Sequence, residues 1–144
     1  MTADIRRLTD RFSASPQITP QDVPAIAAAG FGHIVNNRPD GEVPGQPTGA
    51  EIAAAAAAVG LGYTEIPVDH SGFSLEQVAA LRAVLAAADR PVLGFCRSGT
   101  RSTLLWALAE AAAGAEPESL LETAAAAGYD ARPVLPLMLR LRRA

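Results

Sequence analysis

The sequence predicts an α/β fold: a single domain whose mostly parallel central sheet is flanked by helices. Three observations carry that expectation. Short β-branched or aromatic segments alternate along the chain with alanine-rich helical ones, the pattern of strand–helix–strand units. Helices open on recognisable capping residues and end on glycine. The run "RPVLGFC" (90–96) is almost continuously apolar, as a strand covered on both faces must be.

Each element follows from local chemistry. "RFSASPQI" (11–18) reads as a short opening strand. In "TPQDVPAIAAAG", Thr19 is placed to cap a helix, Pro20 fits its first position and Gly30 lies just past its end. "GHIVNNR" (32–38) is a β-branched strand, and "PDGEVPGQPTG" (39–49) is too rich in Pro and Gly to be anything but loop. A second helix, "TGAEIAAAAAAVGLG", stops at Gly60, and "YTEIPV" (63–68) forms the next strand. After the loop "DHSGF", Ser74 and Gln77 make a capping box for "SLEQVAALRAVLAAA". Leu75, Val78, Ala79, Leu81, Val84 and Leu85 give that helix its expected buried face. Helical stretches at 102–113, 117–127 and 133–143 close the chain, with Trp106 expected in the core and the arginines of "LRLRRA" on a solvated edge.

Composition narrows the function. The chain has 144 residues, 49% of them hydrophobic, which suits one domain, residues 1–144, with a real core. A net charge of −3 gives no attraction to nucleic acid, and all 12 basic residues are arginine, so Schiff-base chemistry and a Walker-type phosphate loop are excluded. One cysteine rules out an internal disulfide and a thiolate zinc site, and with two histidines no metal or cofactor is implied. The N-terminus lacks the apolar stretch of a signal peptide, and "IAAAAAAVGLG" is too short to span a bilayer, so a cytoplasmic, reducing setting is expected.

The chemistry gathers in "CRSGTRS". Cys96 ends the apolar strand, where ligands of parallel sheets bind and where the next helix aims its N-terminus. The loop of Arg97, Ser98, Gly99 and Thr100 is expected to turn its backbone N–H groups toward the sulfur and favour the thiolate. Gly99 suits a left-handed turn position, Arg101 offers a fork for an oxyanion, and Ser102 is placed either to cap the helix or to donate to the sulfur. Asp69 and His70, on the loop after "YTEIPV", are equally well read as an acid site or an ordinary turn. Arg38 is expected to pair with Asp40 or Glu42, and Asn36 and Asn37 to satisfy local backbone groups.

"CRSGTRS" resembles the active-site loop of rhodanese sulfurtransferases, in which a cysteine carries a persulfide sulfur. The wider order, "AGFGHIVNNRPDGE", "YTEIPVDHSGFSLEQVAAL", "PVLGFCRSGTRS", is similar to that of dual-specificity phosphatases. Together they resemble the bacterial beta-lactamase-hydrolase-like, or DUF442, phosphatase-like family over about residues 5 to 115. The resemblance implies a dual-specificity-phosphatase-like fold, with Asp69 in the place of the general acid. It also ties the chain to sulfide and persulfide metabolism, because family members occur fused to persulfide dioxygenase domains; such an enzyme is the implied protein partner. The phosphatase pattern is His-Cys-x5-Arg-Ser/Thr, whereas here Phe95 precedes the cysteine and only four residues separate Cys96 from Arg101. A smaller ring of amides suits a single sulfur better than a phosphoryl group. The leading expectation is therefore a sulfurtransferase passing sulfane sulfur from thiosulfate or a small persulfide, through a Cys96 persulfide, to a thiol or cyanide. The alternatives are a cysteine phosphatase and a non-catalytic module that binds an oxyanion or persulfide.

Overall fold

The computed structural model describes residues 3–143. A five-stranded sheet runs in the order β1-β2-β5-β3-β4, with β1 (Arg6–Arg7), β2 (Phe12–Ser15), β3 (His33–Asn36), β4 (Gly62–Glu65) and β5 (Val92–Phe95). β2, β5, β3 and β4 are mutually parallel, and β1 adds an antiparallel edge. The expected parallel sheet is present, with β5 at its centre. The two-residue β1 is an addition, being too short to show any alternation.

Helices cover both faces. α1 (Val23–Ala28) and α2 (Gly49–Ala58) lie on one; α3 (Leu75–Ala87), α4 (Thr100–Ala112), α5 (Pro117–Ala126) and α6 (Leu135–Arg143) lie on the other. Along β5 the side chains alternate between the two cores: Val92 joins the α3–α6 side, while Leu93 and Phe95 join Ile34, Ile26 and Ile52. Gly94 faces the crowded side, where a Cβ would lie 2.7 Å from the Phe12 ring. Thr48 and Ser74 cap α2 and α3 through complete capping boxes, and Thr19 and Pro20 open a short 3-10 helix that leads into α1. The α3 face is narrower than its spacing suggests: Val78, Leu81 and Leu85 form the one buried stripe, while Leu75 and Ala79, beside it on the helix surface, are exposed. No helix among the described residues is long and apolar enough to cross a membrane.

α4 is the spine of the larger core. It packs on α3, α5 and α6, and Trp106 stacks on Phe12 of β2 at 6.4 Å between centroids and 11° between planes. This contact ties the helix behind the "CRSGTRS" loop to the sheet that presents it. Trp106→Ala is expected to cost about 3–5 kcal/mol of unfolding free energy in a urea titration, as a large cavity opens where the helix meets the sheet.

Candidate active site

All four parallel strands point their carboxyl ends to one edge. Cys96 follows β5, Asn37 and Arg38 follow β3, Gln17 follows β2, and Asp69 lies just beyond β4. The register sets Phe95 opposite both Ser15 and Asn36, so the residues after each strand meet above the sheet. Backbone bonds continue the ladder past the strand ends: Cys96 N donates to Ser15 O, Asn37 N to Phe95 O and Gln17 N to Arg97 O.

The loop itself turns at Gly99, the residue preceding α4, with φ of 92°. That value suits glycine, and a Cβ would also lie 2.1 Å from the Tyr129 hydroxyl. The Gly99 N–H donates to Sγ of Cys96 at 3.1 Å. The Thr100 N–H instead donates to the Ser98 hydroxyl, which donates in turn to Thr100 Oγ1. Ser102 departs from both of its expected roles: its hydroxyl donates to Asn37 Oδ1 at 2.7 Å, while Asn37 Nδ2 donates to Ile66 O. It fastens α4 to the strand ends rather than capping the helix or bonding the sulfur.

Arg101 is held by a partner that sequence order hides. Its Nη1 and Nη2 donate to Oε2 and Oε1 of Glu42, both at 2.8 Å, and Nη1 donates again to Val68 O at 2.7 Å. A guanidinium has five N–H donors, so three are committed and two remain, on Nε and Nη2 along one edge. Arg101 also interacts electrostatically with Cys96. Glu42 accepts a further bond from Nε of the buried Arg38 at 2.8 Å, which selects Glu42 over Asp40 as the partner of Arg38. Asp40 instead accepts from Gly49 N at the start of α2. Arg38 Nη1 donates to Gln17 Oε1, and its Nη2 is buried with no partner.

Glu42, Asp69, His70, Arg97 and Arg101 line a cavity of about 300 Å³. The cavity therefore brings Asp69 and Arg97 to Arg101. Cys96 is not among the lining residues and is completely buried. Asp69 is built as a turn residue: its Oδ1 accepts from Ser71 N at 2.8 Å and Ser71 Oγ at 2.6 Å, and those bonds hold its carboxyl below the usual range. Among the described residues no three His, Cys, Asp or Glu side chains cluster as a metal site. Gln17, Tyr129 and the bond between Glu42 and Arg101 escaped sequence reasoning because each contact is made across a long stretch of chain. The one local signal was the spacing of Arg38 and Glu42.

Hydrogen bonds from Arg101, then from Arg38, pull the Glu42 carboxyl down to about 2. A depressed carboxyl stabilises the fold above its unfolded value near 4.5 and loses that contribution as pH falls toward 2. Wild type is expected to lose stability between those limits in chemical denaturation at stepped pH. Glu42→Gln should lower stability at neutral pH and flatten that acid limb.

Comparisons with known proteins agree with this geometry. The family described as "Beta-lactamase hydrolase-like protein, phosphatase-like domain" matches residues 4–113. The Beta-lactamase hydrolase-like protein of Agrobacterium fabrum is 37% identical over 116 residues, which are 81% of this chain and 27% of that protein. This chain thus spans about a quarter of that relative's length. A Neisseria meningitidis Z2491 protein described as a candidate phosphatase is 33% identical, with a TM-score of 0.83 over 96% of this chain and 98% of its own. The active form of Tk-PTP shares the fold at 19% identity, with a TM-score of 0.76 over 99% of both chains. The cysteine loop on a central parallel strand, the helix behind it and the matched residues place this chain in the beta-lactamase hydrolase-like, phosphatase-like domain family.

Proposed function

We propose that this chain is a cysteine-dependent hydrolase of the phosphatase kind, acting on small phosphoesters through an adduct on Cys96. The observation that carries the reading is the placement of the one thiol. It sits at the end of β5, bonded to a loop amide at the N-terminus of α4, with Arg101 near enough to interact with it electrostatically. Family and fold favour phosphoester chemistry over the expected sulfur transfer.

In this mechanism the Cys96 thiolate attacks phosphorus, an S–P bond forms and the P–O bond to the leaving group breaks. Arg101 and the free amides of the first turn of α4 hold the phosphoryl oxygens. Water then attacks the phosphocysteine, releasing phosphate and the thiolate. Attack needs the reacting atoms about 3–3.5 Å apart, so binding must uncover the buried sulfur. Bonds from Ser71 hold the Asp69 carboxyl below its usual range, which disfavours it as a proton donor. The favoured substrates are therefore those with leaving groups that depart unprotonated, such as aryl or acyl phosphates.

Sulfur transfer is the second reading, favoured by loop size. Four residues between Cys96 and Arg101, with Gly99 N–H already on the sulfur, suit a persulfide better than three phosphoryl oxygens. The thiolate would attack the outer sulfur of thiosulfate, forming an S–S bond as sulfite leaves with the electron pair of the broken bond. A thiol or cyanide acceptor then takes the sulfur and restores the thiolate. Sulfite needs no proton, so an ionised Asp69 is no obstacle. On this reading the partner is a persulfide dioxygenase or another enzyme of sulfur metabolism.

An aryl phosphate assay is expected to show turnover that falls at least about a thousandfold in Cys96→Ser and less than about threefold in Asp69→Asn. Incubation with thiosulfate followed by intact-mass measurement separates the readings. A Cys96-dependent species one sulfur heavier, without aryl phosphate turnover, would replace the first reading with the second.

A further inference from the structure

The peptide unit joining Ser98 to Gly99 is held at both ends. Its carbonyl accepts a hydrogen bond from the Tyr129 hydroxyl at 3.1 Å, and its N–H donates to Cys96 Sγ, also at 3.1 Å. The peptide is trans, so its C=O and N–H point in opposite directions, and fixing one fixes the other. Nothing inside the loop does this alone. Glycine at 99 gives the peptide plane little resistance to rotation, and a flipped plane would turn the Ser98 carbonyl, an acceptor, toward the sulfur.

Tyr129 is itself firmly seated. It is buried, its backbone N–H donates to Ala124 O at the end of α5, and the Arg6 guanidinium lies 5.2 Å over its ring. Arg6 Nη1 also donates to Ala127 O, so the antiparallel edge strand braces the segment that carries the tyrosine. The hydroxyl fills the space that a side chain at 99 would need. Burial raises the Tyr129 hydroxyl above its ordinary range. The residue lies beyond the 4–113 stretch that defines the family match.

We propose that Tyr129 is a positioning residue for the Cys96 thiol: its hydroxyl holds the Ser98 carbonyl so that the Gly99 N–H stays aimed at the sulfur. The chain O–H···O=C–N–H···Sγ is also polarised along its length, which strengthens the last bond. The role rests on Cys96 being the reactive group and holds for a phosphoryl or a sulfur adduct alike. It makes the C-terminal segment part of the site, not merely a cover for α4.

Tyr129→Phe keeps the ring under Arg6 and removes only the hydroxyl. In protein labelled with nitrogen-15 glycine, the Gly99 amide of this variant is expected to shift and to exchange with solvent at least about tenfold faster. The ultraviolet thiolate absorbance at neutral pH, taken as the difference from Cys96→Ser, should fall about three- to tenfold, the range of one lost hydrogen bond. Met138→Ala, which opens a cavity under α6 but leaves the phenol in place, should lower the melting temperature without moving either signal. Unchanged Gly99 and thiolate signals in folded Tyr129→Phe would overturn the proposal, and so would equal changes in Met138→Ala. Neither readout uses a substrate, so loss of the proposed activity and loss of this role are told apart.

Discussion

Glu42 lies between two arginines and accepts three charged hydrogen bonds at 2.8 Å, two from Arg101 and one from Arg38. The arrangement is partly buried, with the Arg38 side chain 4% exposed, Glu42 19% and Arg101 24%. In such surroundings an ion pair is costly to break, because removing one partner leaves an uncompensated charge, at about 3–5 kcal/mol. The rest of the site depends on this carboxylate. It brings the Pro- and Gly-rich loop after β3 down onto the cysteine loop, and it turns Arg101 so that a single edge is left for a ligand. Lysine could not replace Arg101 here, since the fork geometry and the donor count both need a guanidinium.

From Glu42 the constraints spread through the strand ends. Gln17 after β2 meets Arg38 after β3, and Asn37 joins Ser102 of α4 to the backbone beyond β4. Behind the loop, Trp106 on Phe12 fixes the axis of α4, and Tyr129 fixes one peptide plane. The thiol thus sits in a frame set from three sides. The same frame leaves Cys96 fully buried.

Much of this was legible in the sequence because it is local. Strand–helix alternation, the capping boxes at Thr48 and Ser74, and the apolar run of β5 each follow from a few neighbouring residues. Gly99 was readable too, since a left-handed turn before a helix calls for glycine. What stayed hidden is long-range. The 59-residue separation of Glu42 and Arg101, and the 31 between Ser98 and Tyr129, leave no periodic trace. Ser102 misled for a related reason: a hydroxyl beside a cysteine loop invites a role toward the sulfur, but the strand register delivers Asn37 to it first. Asp69 could be read either as an acid or as a turn residue. The turn is present, since the amide and hydroxyl of Ser71 both close on the carboxylate, and Asp69 also lines the cavity with Arg101.

If Glu42 orients Arg101 for function, it stays on Arg101 while the free Nε–Nη2 edge serves the ligand. A crystal structure of the protein with inorganic phosphate bound at the site tests it directly. Phosphate oxygens are expected on Nε and Nη2 of Arg101, with both Glu42 oxygens still within hydrogen-bond distance of Nη1 and Nη2. A Glu42 side chain turned out to solvent, with phosphate seated on the Nη1–Nη2 end in its place, would contradict it.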